Sequence, residues 1–285
     1  MPYFRKHPSD LPVDGKIYML RGSTIEFKVD AGPNKETLII KAASPDIVQI
    51  KQKRISNKPG SIITITGKAV GTAVLQGYIE TGSASPGRAP SIRCTGCISP
   101  LTVEVLQKIE LPNKNTEAGA VTRMLLAENY TPESAHYNEK DSLIAMQWMR
   151  NVLENRLAFS HPHLLQVPHG SKSFIATIKG GSVEGFRSYP TIQKGKEKNI
   201  TDAVKFANHA RHPHFLQFRK HVENAIAVAN GEKRGDDPCP TKLYAWKSEG
   251  SPAPSSNFVK FRTLVGQDFY TLTPNFIKNP LHPDK

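Results

Sequence analysis

Cysteine is scarce. The chain holds three, Cys94, Cys97 and Cys239, too few for a disulfide framework. Cys94-Thr-Gly-Cys97 has the spacing of half a zinc site, but no second CxxC follows, so a closed site would have to recruit histidine. The blander alternative is a loop pair that oxidises only in an oxidising compartment. No apolar run approaches the ~20 residues that a membrane helix requires. The opening Met1-Pro-Tyr-Phe-Arg-Lys-His-Pro8 lacks the apolar core of a secretory signal, so synthesis in the cytoplasm is expected. Also missing are a glycine-rich phosphate loop before a helix and a Gly-x-Ser-x-Gly elbow. The histidines of His209-Ala-Arg-His212-Pro-His214 lack the His-Glu-x-x-His pattern, and Pro213 interrupts them. No metal or cofactor is expected.

Acid is the other shortage. Against 38 lysines and arginines stand 25 aspartates and glutamates, a formal net charge of +13 over 285 residues. The excess is shared: 15 basic against 9 acidic residues up to Pro112, and 23 against 16 after it. A basic surface on both parts implies an anionic partner: nucleic acid, a membrane surface or an acidic wall polymer. Hydrophobic residues at 38% and charged ones at 22% are ordinary for a folded protein and exclude global disorder.

From Lys16 to Leu111 the pattern has period two, broken by turn residues such as Gly32-Pro-Asn34 and Lys58-Pro-Gly60. Short strands are expected at residues 17–20, 24–29, 37–41, 47–50, 61–66, 72–79 and 101–106, which together argue for a β-sandwich. Residues 1–15 read as an irregular arm, and Thr81 to Pro100 as an insertion rich in Gly, Ser and Pro. After the polar stretch Leu111 to Gly119 the period becomes helical, so the division is placed at 1–112 and 113–285. Thr131-Pro-Glu-Ser134 carries a helix-start signature, and Asp141 is a candidate cap for a buried helix from Ser142 to about Phe159. Ser173 to Ile178 and Val183 to Tyr189 read as a hairpin turned at Gly180-Gly181. Thr201 is expected to cap a helix reaching about His209, and Pro213 to open another that ends at Asn230-Gly231. Loop and short extended pieces follow.

One residue conflicts with its surroundings. Val121, Met124 and Leu125 lie at helical spacing, and Glu128 is the next position on that apolar stripe. A carboxylate there is costly unless it is paired or used. The plain reading is a surface position or an ion pair with Arg123, Arg150 or Arg156. The functional reading is a carboxylic acid kept protonated by an apolar wall, the general acid of glycoside cleavage.

Two resemblances bear on this choice. Ala43-Ser-Pro-Asp-Ile-Val-Gln-Ile50, Ile65-Thr-Gly-Lys-Ala-Val-Gly-Thr-Ala73 and Leu101-Thr-Val-Glu-Val105 resemble the bacterial Ig-like (BID-type) family, which implies a spacer or adhesion module. The second part resembles the spore-cortex-lytic (SleB-like) cell wall hydrolases. The matching pieces, in order, are Met124-Leu-Leu-Ala-Glu-Asn129, Leu143-Ile-Ala-Met146 running to Val152-Leu-Glu-Asn-Arg-Leu157, and Val183-Glu-Gly-Phe186 with Tyr189-Pro190. Ala225 to Gly231, Asp236-Asp-Pro238, Leu243-Tyr244 and Val265-Gly-Gln-Asp-Phe-Tyr270 complete the series. The fold class implied is a two-domain chain, an all-β Ig-like sandwich followed by a mainly α (α+β) lysozyme-like domain acting on peptidoglycan. By position Glu128 becomes the general acid and Glu184 the second carboxylate, with Tyr137, Phe186, Tyr189 and Tyr270 as sugar contacts. The family's closing histidine is Asp268 here, and its cleft glutamine is Ser182 or missing. A hydrolase needs the second acid, whereas a lytic transglycosylase manages with one glutamate; the single-glutamate route is slightly favoured.

A wall-cleaving enzyme made without a signal peptide suggests an antibacterial toxin exported by type VI secretion to the periplasm of a target cell. Its partners would be peptidoglycan, a cognate immunity protein and a component of the secretion machine. Phage-type lysis, or a non-enzymatic wall- or nucleic-acid-binding protein, are the alternatives; no specific nucleic acid is expected.

Overall fold

The computed structural model describes residues 4–7, 9, 12–13, 15–30, 38–56, 60–81, 91–95 and 99–281. The chain divides into two compact units, Met1–Lys108 and Ile109–Lys285. Residues 109–112, assigned to the first part from sequence, belong with the second. Ile109 is buried there, and its amide and carbonyl exchange 2.8 Å hydrogen bonds with the Asn208 side chain.

The first unit is all β. One sheet orders β2 (Pro12–Val13), β1 (Phe4–Lys6), β4 (Thr24–Val29), β7 (Ser61–Gly67) and β6 (Val48–Arg54). The other orders β3 (Lys16–Leu20), β10 (Leu101–Leu106), β8 (Gly71–Thr81) and β5 (Leu38–Ala42), with β9 (Ser91–Thr95) also paired to β8. Alternation drives the arrangement. Leu101, Val103 and Val105 of β10 are buried, as are Ile63 and Ile65 of β7, while their neighbours are partly exposed. These side chains form one core with Phe4, Met19, Phe27 and Leu75. Across the two sheets, Gln52 accepts from the Ile40 amide at 3.0 Å and donates to the Leu38 carbonyl at 2.5 Å. Strands β1 and β2 lie inside the stretch read as an arm, and β9 inside the stretch read as an insertion. Cys97 lies outside the described residues, as does the side chain of Cys94.

The described residues of the second unit form six α-helices and a three-stranded antiparallel sheet. The helices are α1 (Glu117–Glu128), α2 (Glu139–Ala158), α3 (Phe174–Thr177), α4 (Lys194–Ala207), α5 (Phe215–Asn230) and α6 (Pro274–Lys278). The sheet orders β11 (Ala245–Ser248), β13 (Gln267–Leu272) and β12 (Phe258–Leu264). Helix α1 starts at Thr116, whose hydroxyl accepts from the Gly119 amide at 3.0 Å, and every residue from Gly119 to Ala127 except Arg123 is buried. Helix α2 is capped by Asn138, not by Asp141, whose amide donates to the Asn138 side chain. Thr131 to Tyr137 forms turns without a helix.

Buried arginines tie α2 to its surroundings by donating to backbone carbonyls. Arg150 of α2 donates at 2.6 Å to the carbonyls of Val228 and Ala229 in the last turn of α5. Arg156 donates at 2.6 Å to the Tyr244 carbonyl, and burial pulls its pKa down to about 10.

The expected fold class therefore needs correction. The chain is a mixed α+β protein, all β over about its first hundred residues, and its second unit is only partly helical. The expected mainly α, lysozyme-like description fails on two counts. The tail read as loop and short extended pieces pairs into a three-stranded sheet, β11–β13, and the expected hairpin at 173–189 has no strands. Ser173 instead caps α3, with its hydroxyl accepting from the Ala176 amide at 3.2 Å. A π turn at Ile178–Ser182 follows. The alternation there came from Phe174 and Ile175 packing on the helical core beside the buried Ile178, not from a pleated strand.

Candidate active site

Glu128 is the last residue of α1, and its side chain is 12% exposed. Three other elements hold it. Lys196 near the start of α4 donates from Nζ to Oε1 at 2.7 Å, and the Trp246 indole N–H on β11 donates to Oε2 at 3.3 Å. Gln267, the first residue of β13, donates from Nε2 to the Glu128 backbone carbonyl at 2.9 Å. The next residue, Asn129, is buried and returns its side-chain amide to the Leu125 carbonyl at 2.9 Å. The apolar wall expected around Glu128 is thus replaced by a cation and an indole N–H. None of the three arginines considered as ion-pair partners supplies that cation.

The β12–β13 turn sits beside the C-terminal end of α1. Its central residues Val265 and Gly266 both have positive φ, 47° and 65°, as a type I′ hairpin turn demands. For a β-branched residue such as Val265 this backbone is strained, and strain of this kind concentrates at functional sites. The Tyr130 ring lies against Gly266: a Cβ there would come within 2.3 Å of the ring. Tyr130 is 37% exposed. Gly266→Ala is expected to lower the stability of the second unit by about 1–2 kcal/mol through its backbone alone, and further by displacing Tyr130. The midpoint of urea unfolding followed by tryptophan fluorescence measures this, because Trp148 and Trp246 are the chain's two tryptophans and both belong to this unit. An unchanged midpoint would contradict it.

Other residues singled out from sequence are dispersed. Phe186, Tyr189 and Tyr270 are buried, so they present no face to a sugar. Phe186 stacks on Tyr189 at 6.1 Å, the Tyr189 hydroxyl donates to the Lys114 carbonyl, and burial raises the Tyr189 pKa. Tyr270 pairs with Ala245 in the sheet. Tyr137 packs edge-on against the His221 ring at 5.6 Å; burial pushes its pKa up to about 12. Glu184 is exposed on the turn before Gly185. Asp268 is a structural residue. Burial works against its ionised form, but Lys260, the Thr263 hydroxyl and the Gly250 amide outweigh that and hold its pKa below the usual carboxylate range.

Among the described residues no group of three or more His, Cys, Asp or Glu is placed to hold a metal ion. The histidines pack on rings instead: His163 stacks on His169 at 4.9 Å and His212 on Phe206 at 4.2 Å. Cys239 is buried. No described helix is long and apolar enough to cross a membrane.

Sequence reasoning missed Lys196, Gln267 and Tyr130, and treated Trp246 only as part of an extended tail. Lys196 stands in Lys194-Gly-Lys-Glu-Lys198, which reads as a solvated charge run; nothing local marks it as a partner for a residue so far back in the chain.

No family model matches the sequence, and no curated protein matches it. Solved structures give faint likenesses only. The S-layer protein SbsC, domains 4 and 5, is 14% identical at a TM-score of 0.22, over 33% of this chain and 48% of that one. The cysteine protease inhibitor EhICP2 from Entamoeba histolytica is 15% identical at 0.21, over 33% of this chain and 99% of that one. The chain thus spans about half the length of the S-layer fragment. Likenesses this faint carry nothing about its fold or activity.

Proposed function

We propose that the second unit cleaves the glycan strands of peptidoglycan, with Glu128 as the proton donor. What supports this reading is one observation: a partly exposed carboxylate ends a largely buried helix and is fixed by side chains from α4 and β11, while Gln267 of β13 holds its backbone carbonyl. Preorganisation of this kind is what general acid catalysis needs and what a surface glutamate lacks.

At rest both carboxylate oxygens accept hydrogen bonds, Oε1 from Lys196 and Oε2 from Trp246. Lys196, 28% exposed, turns aside as the glycan enters, and Oε1 takes up a proton from solvent that it can then donate. The proton passes to the glycosidic oxygen as the C1–O bond breaks. In the single-glutamate route the muramic 6-hydroxyl then adds to C1 and returns its proton to Glu128, leaving an anhydro sugar. Such an enzyme endangers its producer, so delivery into a target periplasm and an immunity protein covering Glu128 belong to the same proposal.

Purified sacculi incubated with the protein and with Glu128→Gln, with soluble fragments identified by mass, test it. Anhydro-muramic ends are expected from the parent, and a release rate about 10²–10⁴-fold lower from the variant. Reducing ends would point to a hydrolase. Equal digestion by both proteins would remove Glu128 from the chemistry, and no fragments from either would favour a wall-binding protein.

A further inference from the structure

Three cavities of the second unit are lined by residues other than Glu128. Two of them, of about 310 and 370 Å³, share one lining residue, Arg187. Lys179 and Gly180 line one, Ser188, Thr191 and Gln193 line the other, and Arg187 lines both; the pair makes up the Arg187 groove. Arg187 and Lys179 are exposed, and neither makes a hydrogen bond or ion pair with a described residue. The Arg187 guanidinium lies over Gly181, where a Cβ would stand 3.3 Å from its Nε. No acidic side chain lines either cavity. The nearby Glu117 is already engaged, accepting from the Ser173 hydroxyl and the Ile175 amide.

The groove leads to the site through a chain of contacts. Gly185, at φ +82°, lets the loop lie against α4: a Cβ there would meet Gln193 Oε1 at 2.9 Å and Lys196 Cγ at 3.2 Å. The Gln193 amide donates to the Gly185 carbonyl at 2.9 Å. Lys196 in turn holds Glu128 at 2.7 Å. These contacts join the groove's wall to the cation that pairs with the carboxylate.

We infer that this groove binds a carboxylate-bearing glycan, with the Arg187 guanidinium taking a carboxylate of the strand and the Ser188, Thr191 and Gln193 side chains taking its hydroxyls and amides. Arginine suits the role because its planar fork meets a carboxylate with two parallel bonds, which an ammonium cannot do. The choice of a carboxylate-rich wall glycan as occupant rests on the cleavage reading above; the cationic, acid-free lining stands without it.

The test measures binding separately from cleavage. Glu128→Gln protein is sedimented with sacculi at fixed salt, alone and combined with Arg187→Ala, Arg187→Lys or, as a remote control, Lys220→Ala. Arg187→Ala is expected to weaken binding about tenfold, the worth of one charge-assisted contact, and Arg187→Lys less. Lys220→Ala should change it by less than about twofold. The Arg187 effect should vanish on sacculi whose carboxylates have been amidated. Parent-like binding by Arg187→Ala, an equal loss with Lys220→Ala, or an effect that survives amidation would each overturn the proposal. So would loss of duplex DNA binding with sacculus binding intact, which would make the groove a nucleic-acid site. If the Arg187 effect appears while unmodified protein releases no fragments, the groove stands and the cleavage reading falls. Fragment release with parent-like binding by Arg187→Ala gives the reverse.

Discussion

Between pH 6.5 and pH 4 the second unit is expected to lose on the order of 3 kcal/mol of stability through His221 alone. His221 is 1% exposed on α5. One ring nitrogen lies 3.5 Å from the Ser142 hydroxyl, and the other, Nε2, has no partner. The Tyr137 ring meets it edge-on, and the Tyr137 hydroxyl is also without a partner. Burial pulls the His221 pKa down from 6.5 to about 4, because an imidazolium there would have no acceptor for its second N–H. The sign follows directly. In this window the unfolded chain takes up a proton that the folded unit refuses, so stability is complete above about pH 6.5 and drains away toward pH 4. His221→Gln removes the titration. Its urea midpoint, read from tryptophan fluorescence, should depend less steeply on pH than that of the parent across the window. Parallel slopes in the two proteins would show that His221 protonates without unfolding.

This pocket was not legible in the sequence. Tyr137 enters only as a sugar contact that the resemblance implies, and His221 is one of ten histidines; nothing along the chain reports that the two rings meet. The first unit was far more readable, because strands that bury one face write their register into the sequence. Ile63 and Ile65 or Val103 and Val105 alternate with polar neighbours, and a shift by one residue would expose them. Glu128 was legible for a related reason: its place on the stripe of Val121, Met124 and Leu125 is a local conflict. Its partners are not local. Trp246 and Gln267 reach it only because β11 pairs with β13 and because Val265 accepts a left-handed backbone, a conformation that propensity argues against. Phe186, Tyr189 and Tyr270 show the opposite error. A motif resemblance offered them as sugar contacts, but large aromatic rings are more often core.

Glu128 and Lys196 are expected to be coupled by about 1 kcal/mol in a double-mutant cycle of folding stability. At 12% and 28% exposure the pair is sheltered enough to be screened weakly, yet wet enough that its desolvation is modest. Lys196→Met leaves a sheltered carboxylate with the Trp246 N–H as its remaining side-chain donor; Glu128→Gln leaves an ammonium with a neutral acceptor. Each single change should therefore cost more than its share of the double change. A purely structural ion pair and a catalytic one differ in the second readout. If the pair only supports the fold, loss of sacculus cleavage should track loss of stability, and Glu128→Gln should be no worse than Lys196→Met. If Glu128 donates the proton, Glu128→Gln falls about 10²–10⁴-fold, far beyond what its loss of stability accounts for, whereas Lys196→Met keeps the acid and retains most of the rate. Equal rates in the two variants would return Glu128 to the fold and leave the Arg187 groove as the functional surface of the second unit.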